Sequence, residues 1–145
     1  MTNLVETKIR YNKVMENGML KSVTETNLVD ALSFAEAEAR IIEEMKPFIS
    51  GEFVVSAVKK TNLSEIFYDE KGDRWYKVKA MFITFDEKSG IEKETANYFL
   101  VQAGDFYNAL ENFVDGMKGT MADFRIASIS ETNIMDVFEA KLEQD

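Results

Sequence analysis

Along residues 4–14 (LVETKIRYNKV), Val5, Thr7, Ile9 and Tyr11 alternate with Glu6, Lys8, Arg10 and Asn12. A period of two is that of a strand with one wet face. Asn17-Gly18 comes next. That pair suits a two-residue hairpin turn, whose central positions both take positive φ. Residues 19–29 (MLKSVTETNLV) return as a second strand, and a two-residue turn would set Arg10 opposite Glu25 and Ile9 opposite Thr26. The period then lengthens. Phe34, Ala37, Ile41 and Met45 form one apolar helical stripe, opened by the capping pair Ser33 and Glu36 and closed by Pro47 and Gly51. Residues 52–60 read as a third strand. Asn62 and Glu65 again have cap spacing, which predicts a short helical turn carrying Ile66 and Phe67.

The same order recurs. Strand 75–85, the turn pair Ser89-Gly90, strand 91–101, a helix capped by Asp105 and strand 123–130 repeat the first half, and Asn133 to Phe138 mirror Asn62 to Phe67. With a lag of 72, residues 9–46 fall on 81–118; with a lag of 71, residues 53–67 fall on 124–138. These alignments give 9 + 4 = 13 identities in 38 + 15 = 53 pairs, where roughly 3 would arise between unrelated chains. The chain is thus read as two tandem β-β-α-β repeats, about 4–67 and about 75–138, joined by an exposed linker at 68–74. Each is too small to bury much alone. The expected fold is α+β, a single domain over 1–145 in which the repeats share a core as a pseudo-twofold, antiparallel-rich sheet with two helices. One continuous sheet and two packed layers both satisfy the pattern.

Composition narrows the chemistry. There is no cysteine and no histidine among the 145 residues, which removes disulfides, thiolate sites and the commonest general base and metal ligand. No phosphate-cradling glycine motif occurs and no serine has a histidine to activate it, so no catalytic residue, metal or cofactor is expected. Glu65 and Asp136 occupy matching places in the repeats, where capping explains them. No apolar run is long enough to span a membrane, and Met1 to Glu6 lack a signal pattern, so a cytoplasmic location without membrane contact is expected. The net charge of −9 repels phosphate at long range, though screening leaves a local basic face able to act.

Two candidate surfaces emerge. At a lag of 72, Glu6, Lys8 and Arg10 correspond to Val78, Ala80 and Phe82. Three wet positions become apolar beside Trp75, Tyr76 and Phe99. Such a face either packs inside or binds a protein partner, including a second copy. The alternative is single-stranded nucleic-acid binding, with Lys8, Arg10, Lys13 and Lys21 as the basic track and Trp75 and Tyr76 as stacking rings. A small ligand at the junction of the repeats is a third reading.

The strings NLVDALSFAEAEARIIEEMKPFISGEF and LVQAGDF…GMKGTMADFRIASISETNIMDVF resemble an uncharacterised family of small proteins from Bacteroides-type gut bacteria and their phages. The resemblance covers nearly the whole chain. It implies a cytosolic protein associated with phages or mobile elements, and it brings no activity or site residue with it. The leading expectation is a non-catalytic interaction module.

Overall fold

The computed structural model describes residues 3–139. Each repeat supplies four strands and one helix. The first gives β1 (Leu4–Val14), β2 (Leu20–Asp30), α1 (Phe34–Met45), β3 (Phe53–Lys60) and β4 (Leu63–Phe67). The second gives β5 (Arg74–Phe85), β6 (Glu92–Ala103), α2 (Phe106–Gly116), β7 (Asp123–Glu131) and β8 (Ile134–Phe138). The fold is α+β with two four-stranded mixed sheets, ordered β3-β1-β2-β8 and β4-β6-β5-β7.

The short helical turns expected at 62–67 and 133–138 are strands, β4 and β8. Five residues are too few to sustain a helix, and Leu63, Ile66 and Phe67 or Ile134, Val137 and Phe138 fit a pleated surface better. These two strands change places. β4 runs parallel to β6, and β8 runs parallel to β2, so each repeat closes the other repeat's sheet. Among the described residues the compact units are therefore 3–61 with 133–139, and 62–132. The chain passes from one unit to the other at Thr61-Asn62 and at Thr132-Asn133. Just before each passage a threonine is clamped: Thr61 N and Oγ1 both donate to Leu4 O, and Thr132 N and Oγ1 both donate to Trp75 O.

The helices start as their capping spacing predicts. Glu36 N donates to Ser33 Oγ at 3.0 Å, and Asn108 N donates to Asp105 Oδ1 at 2.8 Å. Ala37, Ile41 and Met45 of α1 cover one face of the first sheet; Ala109, Phe113 and, at the helix end, Met117 cover one face of the second. Phe34 and Phe106, at the head of each expected stripe, stay about half exposed.

The hairpin loops correct the alignment of the repeats. Val14 pairs with Leu20, and Met15 N donates to Met19 O, so the first loop has three residues rather than two. Gly18 closes it with φ 82°, a left-handed position that glycine takes without strain. Arg10 consequently lies opposite Thr24, and Ile9 opposite Glu25. The second loop has four residues between Asp86 and Ile91, ending at Gly90 with φ 70°. That extra residue means β1 matches β5 with a lag of 71, whereas β2 matches β6 with a lag of 72. Bulges confirm it: the register slips between Lys8 and Ile9 in one sheet and between Lys79 and Ala80 in the other.

With the lag corrected, the two cores compare position by position. In the second unit Phe67, Phe82, Phe99, Phe113 and Phe124 pack as one aromatic group, with Phe99 edge-on to Phe113 at 5.2 Å. The first unit has Phe138, Tyr11, Asn27, Ile41 and Phe53 in those places. Thr7 and Asn27 are buried where the second unit has Val78 and Phe99, and Asn27 Nδ2 has no hydrogen-bond partner among the described residues. A buried, unpaired donor costs about 1–3 kcal/mol. Replacing Asn27 with Leu should therefore raise stability by about 1 kcal/mol, read as a higher urea midpoint; a clear loss would mean the amide is satisfied after all. In contrast, Phe113→Ala should cost about 3–5 kcal/mol in the same measurement.

Candidate interaction surface

The apolar face inferred from Val78, Ala80, Phe82 and Phe99 is not a surface. Tyr76, Val78, Ala80 and Phe99 are buried beneath α2, and Phe82 packs against them half-buried. The reason is the one-residue slip. A strand's side chains alternate, so an error of one exchanges its faces. At the corrected lag, Glu6, Lys8 and Arg10 correspond to Lys77, Lys79 and Met81, whereas Val78, Ala80 and Phe82 correspond to Thr7, Ile9 and Tyr11 of the first core. No wet face became dry. Lys77 instead sits over the Tyr98 ring, 4.6 Å from its centroid.

Burial also removes the stacking rings from the nucleic-acid reading. Trp75 and Tyr76 are each 4% exposed, and the Trp75 ring meets Tyr68 edge-on at 5.9 Å. The basic track fares differently. Lys8 is half-buried, while Arg10, Lys13 and Lys21 are exposed, and none of the four makes an ion pair among the described residues. Lys8 and Arg10 lie on the face away from α1. Lys13 and Lys21 lie directly opposite one another on the other face, a like-charge pair that weakens the ribbon.

These residues belong to a projecting element. Pairing of β1 with β3 ends at Tyr11 and Phe53, and β8 reaches β2 only from Thr26 onward. Beyond those points β1 and β2 continue as a two-stranded ribbon, an arrangement that is marginal by itself. Its tip carries Val14, Met19 and Leu20 at 67%, 67% and 65% exposure, with Met15 beside them. Alternation puts Val14 and Leu20 on one face and Met15 and Met19 on the other, so the tip is apolar on both sides. The β5–β6 tip has the same character, with Phe85 and Ile91 exposed. Neither tip stands out in the strand alternation, because both lie at the strand ends where it gives way to the turn. The signal was present in Val14-Met15 and Met19-Leu20, four apolar residues flanking a turn.

At the base of the first ribbon, Arg10, Asn12 and Ser22, together with Glu52 and with Val54 of β3, line a groove of about 230 Å³. Beside it the Tyr11 hydroxyl donates to Glu25 Oε1 at 2.8 Å. In the second unit a groove of about 420 Å³ runs between Phe67, Tyr68 and Asp69 and the Asn112–Gly116 turn of α2. Asn112 Nδ2 donates both to Asp69 Oδ2 and to Gln102 O, each at 3.0 Å. The Asn112 bond and the Lys71 backbone N–H hold the Asp69 carboxyl below its ordinary range. Arg40 stands in the place of Asn112 in the first unit and donates to Asp30 O at 2.8 Å. Glu65 and Asp136 lie on β4 and β8 rather than at helix starts. Among the described residues, no three acidic side chains converge as a metal site, and no helix is long and apolar enough to cross a membrane.

A match to one family spans residues 3–140. The chain belongs to the family described as a domain of unknown function, DUF4494. No curated protein and no solved structure matches it. The description of this DUF4494 chain therefore rests on its own geometry.

The Glu25 hydrogen bond, followed by burial and the Glu25 charge, raises the Tyr11 phenol above its ordinary pKa. A phenol whose folded pKa is raised adds stability below the unfolded value and loses it as pH climbs through the folded one. Phenolate absorbance should accordingly show a component titrating above the ordinary phenol value, and Glu25→Ala should lower it.

Proposed function

We propose that the protein is a non-catalytic interaction module that associates with further copies of itself through its hairpin tips, in the cytosolic, phage- or mobile-element-linked setting that the family resemblance implies. The observation that carries this reading is the apolar tip of the β1–β2 ribbon: Val14, Met15, Met19 and Leu20 exposed on both faces. Covering a side chain of this size is worth about 1.5–3 kcal/mol, so a tip of four supports a specific contact. A second copy of the chain offers a complement. Its β5–β6 tip presents Phe85 and Ile91 with Asp86, Glu87 and Glu92 outnumbering Lys88 and Lys93, whereas the first tip has Lys13 and Lys21 against Glu16. Apolar contact supplies the affinity and the opposite charges set the orientation. A contact between unlike tips is heterologous and need not close.

Sedimentation over a wide concentration range tests this. The wild type should rise above the 16.6 kDa of one chain without levelling at a dimer, and V14K/L20K should stay at one chain's mass. A wild type that remains monomeric at the highest concentration rejects the contact.

A second reading is favoured by one observation, the four cations Lys8, Arg10, Lys13 and Lys21, which have no carboxylate partner among the described residues. Single-strand binders hold the phosphate backbone with basic side chains, and a ribbon flanked by cations offers them. Without Trp75 and Tyr76, binding would rest on phosphate contacts alone. Fluorescence anisotropy with a labelled single strand should then show binding at low salt that collapses as salt rises and is lost in K13E/K21E. No binding at low salt ends this reading.

A further inference from the structure

The exchanged strands carry one signature. Thr61-Asn62-Leu63-Ser64-Glu65-Ile66-Phe67 and Thr132-Asn133-Ile134-Met135-Asp136-Val137-Phe138 share the order Thr-Asn-aliphatic-any-acid-aliphatic-Phe. Both dock in the same way. Leu63 pairs with Tyr98, Glu65 with Phe99 and Phe67 with Val101; Ile134 pairs with Thr26, Asp136 with Asn27 and Phe138 with Val29. In each case the residue at the unspecified position, Ser64 or Met135, is bulged out at the same step of the register. The closing phenylalanine enters the other repeat's core. Phe67 stacks on Phe99 and tilts against Phe113, both at 5.9 Å, and Phe138 packs on the cluster that contains Ile41 and Val29.

The edge of β2 and the edge of β6 are therefore strand-binding slots, each filled by a segment synthesised in the other half. Each slot offers main-chain hydrogen bonds for affinity and a pocket for phenylalanine for selectivity, the two parts of recognition by strand addition. Vacating one slot would leave an unpaired inner strand and a hole in the core beneath it. We infer that the two halves of the chain are mutual binding partners, each gripping the other's terminal strand, and that the peptide link across 68–73 is dispensable to the complex. The partner class is thus a second β-β-α-β-β half. A single-repeat ancestor meets the same requirement by exchanging strands between two identical copies, an arrangement that duplication made covalent.

This inference is independent of the hairpin tips, and its test leaves them untouched. A protease recognition sequence placed between the exposed Glu70 and Lys71 lets the folded full chain be cut after purification. The cut protein should elute at the volume of the uncut chain with an unchanged circular dichroism spectrum. Two fragments should appear only in denaturant, and the melting temperature should become dependent on concentration, because folding is now bimolecular. The same cut in a Phe67→Asp or Phe138→Asp background should release the fragments. Fragments that separate while each remains folded would overturn the inference, as would unfolding or precipitation of the wild-type sequence on cutting.

Discussion

Ten residues of parallel strand hold this architecture to its topology. β4 and β8 contribute five each, and neither lies in the sheet of its own repeat. Antiparallel neighbours β1 and β2, or β5 and β6, are joined by short loops and could form locally. The parallel pair β2–β8 joins Thr26 to Ile134, across most of the chain, and β4–β6 joins Leu63 to Tyr98 across the junction of the repeats, so their loop-closure entropy is recovered only when both halves are in place. Each brings a phenylalanine into a core that would otherwise be open. Neither repeat can therefore drift in sequence without affecting the unit built mainly from the other. That coupling explains why Thr61-Asn62 and Phe67 are repeated unchanged as Thr132-Asn133 and Phe138 while most other positions have diverged.

Much of this was legible in the sequence. The alternation in residues 4–14, the stripe Ala37, Ile41 and Met45, and the caps Ser33 and Asp105 all read through to structure because each reports a local preference with a fixed period. The duplication was visible too. What failed was what depends on pairing between distant segments. Asn62 and Glu65 have the spacing of a cap, and only the neighbouring strand β6 decides that the segment is extended. A lag of 72 fits β2 and α1 well but carries no identity across residues 9–14. The single extra residue in the second hairpin loop was invisible in those matches, yet it turned the interior face of β5 into an apparent surface. The candidate site was legible only in part. The charges of Lys13 and Lys21 are plain in the sequence, but their position on a ribbon standing clear of β3 and β8 is a property of where neighbouring strands end.

The two units, though built alike, have taken different chemistry. One core is closed by five phenylalanines whose rings contact one another. The other accommodates Thr7, Asn27 and the Tyr11–Glu25 hydrogen bond in corresponding places. Aromatic contacts add to burial, whereas a buried amide without a partner subtracts from it. The first interior therefore gains less than the second at these positions. Among the described residues the first unit is also the one whose ribbon carries cations without carboxylate partners and a like-charge pair. Features that cost stability and repay nothing in the isolated chain collect where binding is to be sought. In this molecule they collect on β1 and β2, and the polar interior beneath the same strands points the same way.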